Sequence, residues 1–157
     1  MSQQMKKVLW AFDPYTDIRE TWDRSQEAVK ALQQGDGVTV QPVYVMGADQ
    51  LEWVGHLEAP QLQSIKPYVQ KAFDSRLAQL DVTLEDAVIL ENDQDSRNSD
   101  IETLLNYAKK SQADLLLINT HAREGVERFF MGSFAETLAL RSQIPVLFVS
   151  PKSKEIK

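Results

Sequence analysis

Four short, unbroken apolar runs, separated by stretches with apolar residues at helical spacing, constrain this chain more than any other feature. The runs are Lys6–Phe12 (apolar from Val8 on), Ala87–Leu90, Asp114–Ile118 and Ile144–Val149. In a strand, successive side chains leave on opposite sides, so an apolar run without alternation predicts a strand covered on both faces. A fifth segment, Val38–Val45, is also strand-like but contains Pro42. Proline has no N–H for a ladder, so Pro42 predicts an edge-like or bulged position there.

The stretches between read as helices. Asp17 with Glu20 forms a capping box, and Ile18, Trp22, Ser25, Val29 and Leu32 recur on one face before Gly35 and Gly37 end the element. Leu62, Ile65, Val69, Ala72, Phe73, Leu77 and Leu80 form a second stripe, in which Pro67 requires a first-turn position or a kink. Ser99 with Glu102 opens a third helix, carrying Ile101, Leu104, Leu105 and Ala108 on one face. A fourth, short helix is predicted from Ser133 to Arg141. Between Met46 and Pro60 no clean period appears, which predicts a connection, with Trp53 placed to cover a pocket. Strands alternating with helices imply right-handed crossovers and a parallel sheet with helices on both faces.

One domain over residues 1–157 is expected, with its core from about 5 to 150 and a polar tail from Pro151 to Lys157. The net charge of −6 argues against a nucleic-acid or membrane-surface partner. With no cysteine, disulfides, thiolate metal sites and cysteine nucleophiles are excluded. His56 and His121 are far apart in sequence and have no metal-ligand or triad spacing around them, so neither a metal nor a catalytic residue is assigned. Asp93-Gln94-Asp95 resembles part of a calcium loop, but the required glycine and distal glutamate are missing. No apolar run approaches the roughly 20 residues of a membrane span, and the polar N-terminus is unlike a signal peptide, so a cytoplasmic protein is expected.

The candidate site lies in Asn119–Ser133, where the fourth run gives way to a loop with Gly125 and Gly132 and then to a helix. A helix start exposes N–H groups and the positive end of the dipole, which suits an anion. Ser133 with Glu136 is also a capping box, so its hydroxyl has a structural use with or without a ligand. Arg123 and Arg128 offer positive charge, although Glu124 and Glu127 beside them fit a solvated face. Asp13, before Pro14, either caps the turn into the first helix or faces a ligand.

Asn119–Ser133 followed by Ile144–Val149 resembles the C-terminal half of a universal stress protein domain. Nucleotide-binding members of that family carry a glycine, two residues, a glycine, nine residues, then Gly-Ser or Gly-Thr. Here the pattern falls on Asn119, Ala122, Gly132 and Ser133, so the final pair is kept and the first two glycines are replaced. The resemblance implies a three-layer α/β sandwich around a five-stranded parallel sheet of order 3-2-1-4-5, a fold shared with the adenine nucleotide alpha hydrolases. It places Asp13 and Val45 on the ribose and base side of a nucleotide. Asn119, Ala122, Arg123, Gly125, Gly132 and Ser133 then fall around its phosphates.

A glycine in a phosphate loop lets the backbone approach the ligand, and Ala122 restores a Cβ there. Asn119 tolerates a left-handed backbone better than most residues, but its side chain takes space. The resemblance therefore implies a non-enzymatic, dimeric stress-response binding protein with a degenerate nucleotide pocket. The alternative it leaves open is an ATP- or AMP-binding member switched by nucleotide, with slow hydrolysis. An enzyme reading, a nucleotidyl-transfer enzyme or flavoprotein subunit on a related sheet, lacks the fuller phosphate signature it needs. The implied homodimer forms through the last strand, by Ile144, Val146 and Phe148, because an uncovered apolar edge strand is a liability.

Overall fold

A computed structural model describes residues 4–12, 19–46, 62–92, 97–119 and 133–149. Along the chain they form β1 (Lys7–Ala11), α1 (Arg19–Gln33), β2 (Thr39–Met46), α2 (Leu62–Leu77), β3 (Val88–Glu91), α3 (Arg97–Lys110), β4 (Leu115–Asn119), α4 (Ser133–Arg141) and β5 (Val146–Val149). The five strands make one sheet of order β3-β2-β1-β4-β5, parallel throughout. β1 is central: Val8 pairs with Val40 on one side and Leu115 on the other, and Ala11 with Val43 and Ile118.

The period-2 alternation sorts side chains into two cores. Val8, Trp10 and Phe12 of β1 join Val40, Tyr44 and Met46 of β2 and Leu115 and Leu117 of β4 beneath α1 and α2, which add Trp22, Val29, Val69 and Phe73. On the other face, Leu9, Val43, Leu116 and Ile118 meet Ile101, Leu104 and Ala108 of α3 and Leu138 of α4. This explains the unalternating runs: both faces are covered. The first core is aromatic at its C-terminal end, where Phe12 lies 4.8 Å from Trp10, 4.6 Å from Trp22 and 4.7 Å from Phe73 between ring centroids. Trp10 is wholly buried. An indole of this kind removes on the order of 200 Å² from water, an upper figure of about 5 kcal/mol.

Pro42 is edge-like on its β3 side only, in a strand that is interior to the sheet. It lies in a continuous β2 with strands on both sides, paired with Trp10. Its missing N–H is tolerated because β3 pairs with β2 only from Val43 onward. Beside it, Gln41 Nε2 donates to the Asp86 carbonyl (3.1 Å), supplying a side-chain donor where the backbone has none. Gln41 Oε1 in turn accepts from the Tyr107 hydroxyl of α3 (2.9 Å). Pro67 lies inside α2 beyond its first turn, so the Gln63 carbonyl lacks the usual backbone partner. Helix α3 begins two residues before Ser99, so Ser99 belongs to its first turn rather than preceding it. Gly37 takes the positive φ (72°) expected of the turn after α1, and Gln112 takes one (58°) where α3 ends, with Ala113 N–H donating to the Ala108 carbonyl (2.9 Å).

At the opposite end of the sheet, Asp114 Oδ2 accepts both the Lys6 and Lys7 backbone N–H groups (2.8 and 2.9 Å), tying β1's first residues to the start of β4. Strand β5 is an edge, as expected, but begins at Val146; Ile144 lies in the turn before it, where Ser142 Oγ donates to its carbonyl (2.7 Å). Among the described residues, no helix is long and apolar enough to cross a membrane.

Candidate functional site

In an open parallel sheet, ligands sit beyond the carboxyl ends of the strands, where the order reverses. Here the chain leaves β1 toward β2 and β4 toward β5, so that point lies between β1 and β4. The two strands are neighbours, with Ala11 opposite Ile118. Phe12 and Asn119 are the next residues on each strand, and Asn119 pairs on its other side with Val149.

Asn119 continues the side of β4 that carries Leu115 and Leu117, and so faces α1. Its Oδ1 accepts from Trp10 Nε1 of β1 (3.0 Å) and from Ser25 Oγ of α1 (2.6 Å). Trp10 and Ser25 are both wholly buried, whereas Asn119 is half-buried. An indole N–H only donates, so the atom facing Trp10 is the amide oxygen, and Nδ2 points elsewhere. Among the described residues, Nδ2 has no hydrogen-bond partner. One carboxamide thus ties β1, α1 and β4 together at the switch point. Its backbone is extended and laddered to β5, so the left-handed tolerance of asparagine plays no part.

A second polar group closes the neighbouring strand end. Asn92, just past β3 and buried, donates from Nδ2 to Ser99 Oγ (2.9 Å) and Asp100 Oδ1 (2.5 Å) in the first turn of α3, while its N–H donates to the Met46 carbonyl (2.9 Å). Close by, Lys66 of α2 pairs with Glu91 (3.2 Å).

Of the residues singled out from sequence, Asn119 lies at the switch point. Val45 is on β2 but on the other side of the sheet, half-buried against the core under α3 and α4. Ser133 is the first residue of α4, so the helix starts at the expected residue, with Ser133 inside its first turn rather than before it. Asp13, Ala122, Arg123, Gly125, Gly132, Trp53, His56 and His121 lie outside the described residues. Trp10 and Ser25 were legible only as core positions; the unused signal was that a serine on an apolar stripe and a tryptophan in a dry strand each need a polar partner. The groups gathered here are an amide, a hydroxyl and an indole N–H. They bind by hydrogen bonding and hold no readily transferable proton at neutral pH. Among the described residues, no group of three or more His, Asp or Glu side chains is placed to hold a metal ion.

Residues 5–150 match the model of the universal stress protein family. This chain belongs to that family. Universal stress protein MJ0531 of Methanocaldococcus jannaschii is 36% identical over 52 residues, 33% of this chain and 31% of that protein. The match thus spans about a third of the curated relative's length. Among solved structures, universal stress protein UspA from Lactobacillus plantarum superposes with a TM-score of 0.61 at 15% identity, over 94% of this chain and 99% of that one. A universal stress protein in complex with cAMP superposes with a TM-score of 0.53 at 16% identity, over 96% of this chain and 100% of that one. At such identities the structural likeness concerns the fold. This universal stress protein has a five-stranded parallel sheet of order β3-β2-β1-β4-β5, with Asn119 at the end of β4.

Proposed function

We propose that this universal stress protein is a non-enzymatic regulatory module of the stress response, working in the cytoplasm as a dimer. It takes a small adenine nucleotide at the β1–β4 switch point, with the phosphate corner altered against a triphosphate. Asp13, Ala122, Arg123, Gly125, Gly132 and Ser133 belong to this proposed cleft by their place in the sequence. Asn119 carries the reading: its side chain fills the first glycine position and its oxygen is committed to Trp10 and Ser25. A polyphosphate cradle needs backbone approach at that corner, and the two positions that would be glycine in the motif carry a Cβ in this sequence, at Asn119 and Ala122. A single phosphate needs less of the cradle, and the cAMP-bound relative supports that ligand class. The ATP-driven switch with slow hydrolysis requires the wider corner. Dimerisation through Val146 and Phe148 on β5, with Ile144 beside them, rests on the position of that apolar strand at the sheet edge.

Thermal unfolding in AMP, cyclic AMP and ATP tests the ligand class. At about 1 mM, a ligand with a Kd near 50 µM adds about 1.8 kcal/mol, or about 4–7 °C in a chain of this size. AMP or cyclic AMP is expected to reach that range and ATP to stay below about 2 °C. Silence from all three refutes nucleotide binding, and a larger shift with ATP refutes the argument about the phosphate corner.

A further inference from the structure

We propose that Asp36 is a site of spontaneous covalent modification, converted to isoaspartate through a succinimide formed with the Gly37 nitrogen and promoted by the Lys6 ammonium group. Asp36-Gly37 is the chain's only Asp-Gly pair, and the chain has no Asn-Gly pair. It lies in the exposed turn between α1 and β2, at the pole of the sheet opposite the candidate site. Ring closure needs an unobstructed nitrogen. Among the described residues the Gly37 N–H has no hydrogen-bond partner, and glycine sets no Cβ beside it. Ring closure also needs a turn that opens. The hydrogen bond across this one, from Val38 N–H to the Gly35 carbonyl, is long (3.4 Å), and the exposed Asp36 side chain is free to rotate toward the nitrogen. Finally, the nitrogen must give up its proton. Lys6 Nζ donates to the Asp36 carbonyl (3.4 Å), the oxygen of the same peptide group, so a positive charge stands where negative charge develops as that N–H ionises. Asp74-Ser75 and Asn98-Ser99, each with a small residue after the acid or amide, lie inside α2 and α3, where the helical backbone is fixed.

The step consumes and returns one water. The Gly37 nitrogen bonds to Cγ of the protonated Asp36 carboxyl, the bond from Cγ to the hydroxyl breaks, and the amide proton leaves with that hydroxyl as water. Water then adds to the ring at the former main-chain carbonyl carbon, whose bond to nitrogen breaks, and the chain continues through Cγ. The product has the same mass, one more methylene in its backbone and a free α-carboxylate. That carboxylate is the group an isoaspartyl carboxyl methyltransferase esterifies from S-adenosylmethionine.

The test stores the folded full chain in mildly acidic buffer beside a peptide of residues 33–40. Isoaspartate is then located by resistance to an endoproteinase that cuts before aspartate and by methyl transfer with that methyltransferase. It is expected to accumulate at Asp36 ahead of Asp74 and Asn98, within about tenfold of the peptide's rate because an exposed turn opens readily. Asp36→Glu, which would have to close a larger ring, is expected to remove the signal. Lys6→Met keeps the apolar stem and removes the charge; it is expected to slow accumulation about fivefold, the effect of a unit charge at contact distance in water, while Lys6→Arg stays within about twofold of wild type. No isoaspartate at Asp36 after the peptide has converted, faster conversion at Asp74 or Asn98, a signal that survives Asp36→Glu, an unchanged rate in Lys6→Met, or Lys6→Arg as slow as Lys6→Met would each overturn the assignment.

Discussion

Replacing Asn119 by glycine restores the family's first loop glycine and is expected to destabilise the protein. The substitution removes the acceptor shared by Trp10 Nε1–H and Ser25 O–H. The indole is wholly buried and has no other direction to turn, so its unmatched donor costs about 2 kcal/mol. The serine hydroxyl can rotate to the Thr21 carbonyl of its own helix, which limits that loss to about 0.5 kcal/mol. Glycine in a strand adds about 0.5–1 kcal/mol. A water entering the half-buried space would recover part of the indole's loss, which sets the lower end near 2 kcal/mol. The expected change is about 3 kcal/mol, or about 6–12 °C in melting temperature. Urea unfolding followed by far-UV circular dichroism measures it, with the m-value checked for constancy. Ser25→Ala should cost about 1 kcal/mol in wild type and close to nothing on top of Asn119→Gly, since the two residues share one interaction. A glycine variant as stable as wild type, or additive costs in the double variant, would refute the account of Asn119 as an interior acceptor.

Asp114→Ala frees the Lys6 and Lys7 backbone N–H groups and is expected to lower stability by about 1–2 kcal/mol in urea, with Asp114→Asn recovering part of it through the retained amide oxygen. For the proposed dimer, Phe148→Glu on β5 should give a monomer by light scattering at about 100 µM, and because Phe148 also packs against the core under α3 and α4, the monomer should melt lower than wild type. A wild-type monomer, or a dimer that survives the change, would remove β5 as the interface.

The fold was legible because its signals are local and periodic. The runs at Val8–Phe12 and Leu115–Ile118 had to be covered twice, and the spacing of Trp22, Ser25 and Val29 admitted one buried helix face. The positions where the reading slipped were those whose outcome depends on a partner remote in sequence. Pro42 read as edge-like, which holds on its β3 side, but sequence does not show that β2 is an interior strand or that Gln41 reaches the Asp86 carbonyl. Ser99 looked like a helix cap until Asn92 gave its hydroxyl another use within the first turn of α3.

The sequence by itself determined the order of strands and helices, the two-sided cover of the sheet and the family, since each follows from the periodicity or motifs of contiguous residues. What Asn119 does was decided only by the tertiary structure. A side-chain amide has an acceptor and a donor end, and nothing in the residues beside it says which is used where. Trp10 and Ser25, remote along the chain, hold the oxygen inward because both donors are buried and the indole N–H has nowhere else to go, and so the same residue that breaks a glycine motif also joins β1, α1 and β4.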